Sequence, residues 1–221
     1  MPDALNRLEL LARLTELCKS GPLGAGCSGD DRHIVAIAGA PASGKSTLAE
    51  WLVKELNSAD SGAAALLPMD GYHYDDRVLT PKGWQAQKGA PHTFDVGGLI
   101  AILQRLRANR EPVIAVPQFD RDLEIARAGA ALIEKTARLV VVEGNYLLLD
   151  EAPWRQLAEL FDLTILVEVD EAELEHRLRQ RWLSHQLSEA DINRKVFDND
   201  LPNGRLVYEK SRVPDISGSF V

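Results

Sequence analysis

Cysteine is scarce: Cys18 and Cys27 are the two thiols in 221 residues. They fit neither a disulfide framework nor a Cys-x-x-Cys metal or redox pair, so two reduced thiols in a cytoplasmic protein are expected. Long apolar runs are missing too. The richest, Leu139 to Val142, breaks at Glu143, far short of the roughly 20 residues that span a bilayer, so no membrane partner is expected. The N-terminus, Met-Pro-Asp-Ala-Leu-Asn-Arg, has no basic segment followed by an apolar block, and no signal peptide is expected. Positive charge is in deficit. Lys and Arg number 25 against 33 Asp and Glu, a net charge of −8, which disfavours a nucleic-acid partner. Internal repeats and low-complexity blocks are absent. What is present, 45% hydrophobic and 26% charged residues, is the composition of a folded domain with a substantial core.

Leucines 5, 8, 11 and 14, with Leu10 and Leu17 beside them, follow a helical period that Asp3 can cap. Residues 20–32 hold four glycines and a proline without apolar periodicity, which reads as a flexible joint. Residues 1–32 are therefore a helical extension and joint, and residues 33–221 a single domain. Within it, strands are expected at 33–38, 63–68, 113–116, 138–142, 163–169 and 215–220, with Pro117 ending the third. Helices are expected at 45–57, 95–107, 171–185 and 188–199. Strands alternating with helices imply an α/β fold, a doubly wound parallel sheet with helices on both faces. Residues 71–93 show little periodicity, and so long a stretch reads as a functional lid or binding region.

One motif carries chemistry by itself. Gly39-Ala40-Pro41-Ala42-Ser43-Gly44-Lys45-Ser46, followed by Thr47, fits G-x-x-x-x-G-K-[ST] between a buried strand and a helix. Glycines at both ends let successive backbone N–H groups turn inward around phosphate oxygens, and the helix N-terminus adds positive potential. Lys45 is a mobile charge for the β- and γ-phosphates, and the Ser46 hydroxyl suits Mg²⁺. A nucleoside triphosphate is the expected ligand. Groups that act on its γ-phosphate belong on loops past the strand C-termini. Two carboxylates stand at such ends. Asp70, in Pro68-Met-Asp-Gly-Tyr-His-Tyr74, reads as a base or orienting group for an acceptor hydroxyl, or else as a turn former. Glu143 reads as a Mg²⁺ carboxylate, direct or through water, or else as half of an ion pair.

Gly39 to Thr47, Asp70-Gly-Tyr-His73, Pro91-His-Thr-Phe-Asp95, Glu143-Gly-Asn145 and Leu174-x-x-Arg-Leu-x-x-Arg181 together resemble the phosphoribulokinase, uridine kinase and pantothenate kinase family. The resemblance covers about residues 33–218. With Phe119-Asp-Arg121 and Glu143-Gly-Asn-Tyr-Leu-Leu-Leu-Asp150 added, the chain is similar to a bacterial subgroup, the fructokinases of sugar-transport operons. The resemblance implies the fold of P-loop nucleoside and nucleotide kinases, and ATP-dependent phosphorylation of an alcohol as the activity. The acceptor it implies is a small metabolite, a sugar, with pantothenate, a nucleoside, glycerate or a phosphopentose as alternatives. A nucleotide-gated regulatory ATPase is the alternative of another class. By the same resemblance Asp70 falls on the family's base, with Tyr72 in place of its usual phenylalanine.

The resemblance puts Asp95 near an acceptor hydroxyl, although helix capping explains the same residue. It makes Arg121 a substrate contact and lets His73 and His92 line the acceptor region, about 70–95. Arg177 and Arg181, at i and i+4, read alone as a solvated stripe beside Glu173 and Glu175; the resemblance implies that they lead into a lid, about 177–200, that closes over ATP. The lid sequence after Arg181 is apolar and acidic rather than arginine-rich, which counts against uridine or cytidine. The Arg212-Val-Pro-Asp215 turn lies where related folds pass the adenine ring. Related kinases are often dimers or tetramers, which leaves room for a homodimer.

Overall fold

A computed structural model describes residues 5–19 and 32–220. Residues 20–31 of the expected joint, Cys27 among them, and Asp3 lie outside the described residues; Arg32, the last residue of that joint, is instead buried, its guanidinium donating to the Ala137 and Glu134 carbonyls at 2.7 and 2.6 Å. Helix α1 (Arg7–Lys19) leads, and its first turn is closed by a reciprocal pair. Asn6 Oδ1 accepts from the Leu8 and Glu9 amides at 3.0 and 3.1 Å, while Asn6 N donates to Glu9 Oε2 at 2.8 Å. That is a capping box. The buried stripe is Leu10, Leu14 and Cys18, whereas Leu8 is exposed. Leu5, Leu11 and Leu17 pack beside that stripe, so of the expected leucines Leu8 alone leaves the core face.

Strands β1 (His33–Gly39), β2 (Ala64–Pro68), β5 (Leu139–Gly144), β6 (Leu163–Val167) and β7 (Ile216–Gly218) form one sheet in the order β2-β5-β1-β6-β7. Every pairing in it is parallel. β1 shows why its residues are apolar throughout. Ile34, Ala36 and Ala38 face one layer, Val35 and Ile37 the other, and all are fully buried. The odd-numbered face is covered by Leu10 and Leu14 of α1 and by Leu48, Leu52 and Leu56 of helix α2 (Lys45–Ala59). The even-numbered face packs on Leu99, Leu103 and Leu106 of helix α4 (Val96–Ala108), on Trp154, and on Val207 of helix α7 (Leu201–Lys210). At roughly 1.5–3 kcal/mol for each large apolar side chain removed from water, these two layers dominate the stability of the fold. The doubly wound expectation is met.

Three departures from the expected elements have clear causes. Strand β3 (Val113–Asp120) does not stop at Pro117. It pairs antiparallel with β4 (Ile125–Glu134), and the register shifts between Val116 and Gln118. Proline cannot donate to a ladder, and a bulge absorbs it. Residues 71–93 contain helix α3 (Asp76–Lys82), capped by Asp75, among short 3₁₀ turns. The helix expected at 188–199 is α6 (Glu189–Lys195), which passes through a π-helical turn, Val196–Asp200, into α7. α5 (Glu171–Ser184) lies as expected, and with α6 it packs Leu174, Leu178, Ile192 and Val196 around Ala40.

Candidate active site

Strand register assembles the site. Ile37 of β1 is level with Glu143 of β5, Pro68 of β2 is level with the same Glu143, and Gly39 is level with Val167 of β6. Three strands therefore end on one edge, carrying the phosphate loop, Glu143 and Asp70 side by side. The loop conformation explains its composition. A Cβ on Gly39 would stand 2.5 Å from Ser43 Oγ and 3.2 Å from Val167 O. Gly44, the N-cap of α2, has φ 91°, and Ala42 also has a positive φ of 63°. Both angles belong to the left-handed region that turns amides toward a common centre. Ala40 and Ser43 are fully buried, and the Ser43 hydroxyl has no partner among the described residues.

A cleft of about 430 Å³ opens over this edge. Pro41, Ala42, Gly44, Lys45, Ser46 and Thr47 form its floor, with Asp70, Arg121, Arg177 and Arg181 on its walls. Ser46 Oγ donates to Glu143 Oε2 at 3.0 Å. Asp70, on a 3₁₀ turn (Met69–Tyr72) held against β5 because Gly144 has no side chain, pairs with Arg121 Nη2 at 3.3 Å. Arg177 bonds Glu173 at 2.7 Å and reaches the Ser43 carbonyl at 3.5 Å.

The charges are mutually dependent. Burial pulls the Lys45 ammonium below its ordinary pKa, while Glu143 and Asp70 pull it back up. Burial pushes the Glu143 carboxyl up against the opposing field of Lys45. Arg181 is lowered by burial and by the neighbouring Arg121. Four cations thus stand with three carboxylates, Asp70, Glu143 and Glu173, a net positive charge suited to a polyphosphate.

The sequence-derived residues are not all brought together. His73 is half-buried beside the cleft, its ring 4.0 Å from that of Phe94 and 4.8 Å from that of Phe119. Its Nδ1 donates to the Asp70 carbonyl at 2.8 Å, and burial lowers its pKa. His92 is exposed, edge-on to Trp84, and does not line the cleft. Asp95 does not line it either. Its carboxylate accepts from the Gly98 amide at 2.9 Å as the N-cap of α4. The Arg212–Asp215 turn is on the opposite edge of the sheet, where Asp215 Oδ2 accepts from Thr164 at the start of β6. That overturns its expected place beside the adenine.

A second cavity, about 550 Å³, adjoins the first. Val169, Asp170, Tyr208 and Ser219 line it, and Arg177 lies on the wall of both. Two residues went unassigned from sequence alone. Asn145 lines the cleft two positions beyond Glu143, with its Oδ1 unpartnered among the described residues, and its only signal was that spacing. Lys88 donates to Asp76 at 2.8 Å and to the Glu124 carbonyl at 2.6 Å, joining the acceptor loop to the hairpin. It sits in an irregular segment, so no periodicity marked it.

The chain is similar to known proteins. The pattern of the Phosphoribulokinase / Uridine kinase family matches residues 34–183. A Schizosaccharomyces pombe protein named "Putative uridine kinase C227.14" is 30% identical over 222 residues, 97% of this chain and 91% of its own. The uncharacterized Escherichia coli K12 protein YggC is 36% identical over 182 residues, 82% of this chain and 75% of its own. Among solved structures, a "putative fructose transport system kinase" from Silicibacter sp. TM1040 is 38% identical with a TM-score of 0.86. That alignment covers 97% of this chain and 100% of the other.

Proposed function

The chain belongs to the phosphoribulokinase/uridine kinase family of ATP-dependent P-loop kinases, and we propose that it phosphorylates an alcohol group of a small, uncharged sugar. One observation carries the choice of acceptor: the cations on the acceptor side are already paired. Arg121 is bonded to Asp70, and Lys88 is held by Asp76 and the Glu124 carbonyl. A carboxylate- or phosphate-bearing acceptor would have to share Arg121 with Asp70 or displace the partners of Lys88. A polyol needs only hydrogen bonds, which Asp70, Asn145 and the neutral His73 ring can supply. The likeness to the Silicibacter protein, described in terms of fructose transport, points the same way.

The phosphates of ATP lie along Gly39 to Thr47, and the base takes the second cavity beyond Arg177. Ser46 and Glu143 would hold Mg²⁺. Both offer oxygen, the donor that hard cation prefers, and they stand at hydrogen-bond distance from one another. Bound there, Mg²⁺ supplies positive charge to the β- and γ-phosphate oxygens. Asp70 orients the acceptor hydroxyl in line with the γ-phosphorus and accepts its proton as the new O–P bond forms, while the bond from the γ-phosphorus to the β–γ bridging oxygen breaks and ADP leaves. Lys45, Arg177 and Arg181 meet the charge on the moving phosphoryl group. Because the transition state is loose, positioning contributes more than proton removal.

A metabolite panel with Mg·ATP, read by product mass, tests the reading. Neutral ketoses and aldoses are set against pantothenate, glycerate, nucleosides and pentose phosphates. A phosphorylated neutral sugar is expected; preferential turnover of an anionic metabolite would overturn the choice of acceptor. Slow ATP hydrolysis indifferent to every alcohol would favour a regulatory ATPase.

A further inference from the structure

The turn between α6 and α7 carries groups that phosphoryl transfer does not itself use. Val196–Asp200 is π-helical, and its extra residue sets Asn199 and Asp200 side by side. Asn199 Nδ2 donates to the Lys88 carbonyl of the acceptor loop at 3.3 Å, and its Oδ1 accepts from Asn203 Nδ2 at 3.2 Å. Asp200 points the other way. Its Oδ2 accepts from Trp182 Nε1 at 2.7 Å, and the residue is 8% exposed. Four residues on, Gly204 packs a backbone face against the phosphate loop, where an added Cβ would stand 3.3 Å from Ala40 Cβ. One short segment thus touches the acceptor loop, the last turn of α5 and the phosphate loop.

A buried carboxylate needs a reason. A neutral amide could accept the indole hydrogen bond at lower desolvation cost. The reason lies beside Trp182. Arg181 stacks over that ring at 5.3 Å from its centroid, and Lys195 lies over it at 4.4 Å. Arg181 also lines the phosphate cleft, where it is partly desolvated and repelled by Arg121. Asp200 supplies negative charge at the indole N–H, and its field favours the charged guanidinium.

We propose that Asp200 is a positioning residue for Arg181: it clamps the Trp182 indole and, through its charge, holds the Arg181 guanidinium over the phosphoryl group being transferred. The inference rests on the reading that Arg181 serves that group. Asn199 anchors the same turn to the acceptor loop, so the lid and the acceptor loop keep one spacing.

A double-mutant cycle on the full chain tests the proposal, with Mg·ATP turnover to ADP as the readout. Asp200→Asn keeps a hydrogen-bond acceptor and the volume but removes the charge. It is expected to lower turnover about tenfold while KM for ATP changes by less than about threefold, the signature of an interaction made in the transition state. In an Arg181→Gln background the same change is expected to cost nothing further, since groups that act through one another are not additive. Trp182→Phe, which keeps an aromatic face, though a smaller one, and deletes the N–H donor, provides a second route if Asp200→Asn does not fold, with a loss in the same direction. Independent, multiplying effects of Asp200→Asn and Arg181→Gln would overturn the proposal, as would an unchanged turnover in Asp200→Asn. If Arg181→Gln alone leaves turnover intact, the role given to that arginine fails instead, and the proposal falls with it.

Discussion

Gly71→Ala asks whether the acceptor loop must lie flush against the β3–β4 hairpin. A Cβ at position 71 would stand 2.6 Å from the Pro117 carbonyl oxygen and 2.8 Å from its carbon. Both are backbone atoms, so no side chain can rotate aside, and the loop or the hairpin must retreat by the better part of an ångström. The consequence reaches the site directly. Asp70 precedes Gly71 on its 3₁₀ turn, and Arg121 follows Pro117 by four residues, so the retreat opens the 3.3 Å Asp70–Arg121 pair. Overpacking of this kind costs about 1–3 kcal/mol, and in a chain of this size each kcal/mol lowers Tm by about 2–4 °C. Displacing a reacting group by about 1 Å can cost about a hundredfold in rate. Gly83 is the matched control. It has φ +70° but no atom within 4 Å of an added Cβ, so alanine there costs about 1–2 kcal/mol from left-handed strain alone. Thermal unfolding and initial rates of ADP formation, measured on both variants, separate the two effects. Gly71→Ala is expected to lose stability and about two decades of turnover, Gly83→Ala stability alone. Wild-type turnover in Gly71→Ala, or an equal rate loss in Gly83→Ala, would refute the reasoning.

Other perturbations have distinct signatures. Lys45→Ala removes the cation at the centre of the phosphate loop, and Mg·ATP affinity or turnover should fall at least about tenfold; calorimetric titration and steady-state kinetics check it. Asp95→Ala should cost about 1 kcal/mol of stability through loss of the α4 cap, whereas Asp95→Asn should keep both the cap and turnover. A rate loss in Asp95→Asn would return Asp95 to the acceptor. His73 predicts a pH effect. Burial holds its pKa below the ordinary value, so below about pH 6.5 the unfolded chain takes up the proton first. The stability contributed by neutral His73 is complete above that pH. It declines as pH falls toward the native-state pKa, by at most about 1.4 kcal/mol per unit. Urea unfolding at pH 7 and 5.5 should show a larger loss for the wild type than for His73→Gln; equal losses would contradict it.

How legible each segment was in the sequence depends on its physics. β1, β5 and β6 are apolar on both faces, and such runs read as buried parallel strands without knowledge of their neighbours. α2 and α5 were recognisable from their glycine or acidic starts and their periodic apolar faces. β4 was not. Its Ile125-Ala-Arg-Ala-Gly-Ala-Ala-Leu-Ile-Glu134 is rich in alanine, carries a glycine with φ 65°, and is largely exposed, so neither alternation nor β-propensity marks it. α7 was hidden by Pro202 and Gly204, which usually punctuate. Here the proline occupies a first-turn position and the glycine permits contact with the phosphate loop. In the site, the phosphate loop, Asp70 and Glu143 were evident because strand ends converge on one edge. Lys88 and Asp200 were not. The contacts of Lys88 join segments 36 and 111 residues apart, and Asp200 stands on a π-helical turn with no periodic signature.

The central claim is that Asp70 orients an acceptor hydroxyl while the phosphate loop independently holds Mg·ATP. Measuring phosphoryl transfer and Mg·ATP affinity together on Asp70→Asn tests it most directly. Transfer to the acceptor is expected to fall at least about a hundredfold, with nucleotide affinity within about threefold of wild type. Near-normal transfer, or a loss of transfer matched by an equal loss of nucleotide binding, would contradict it.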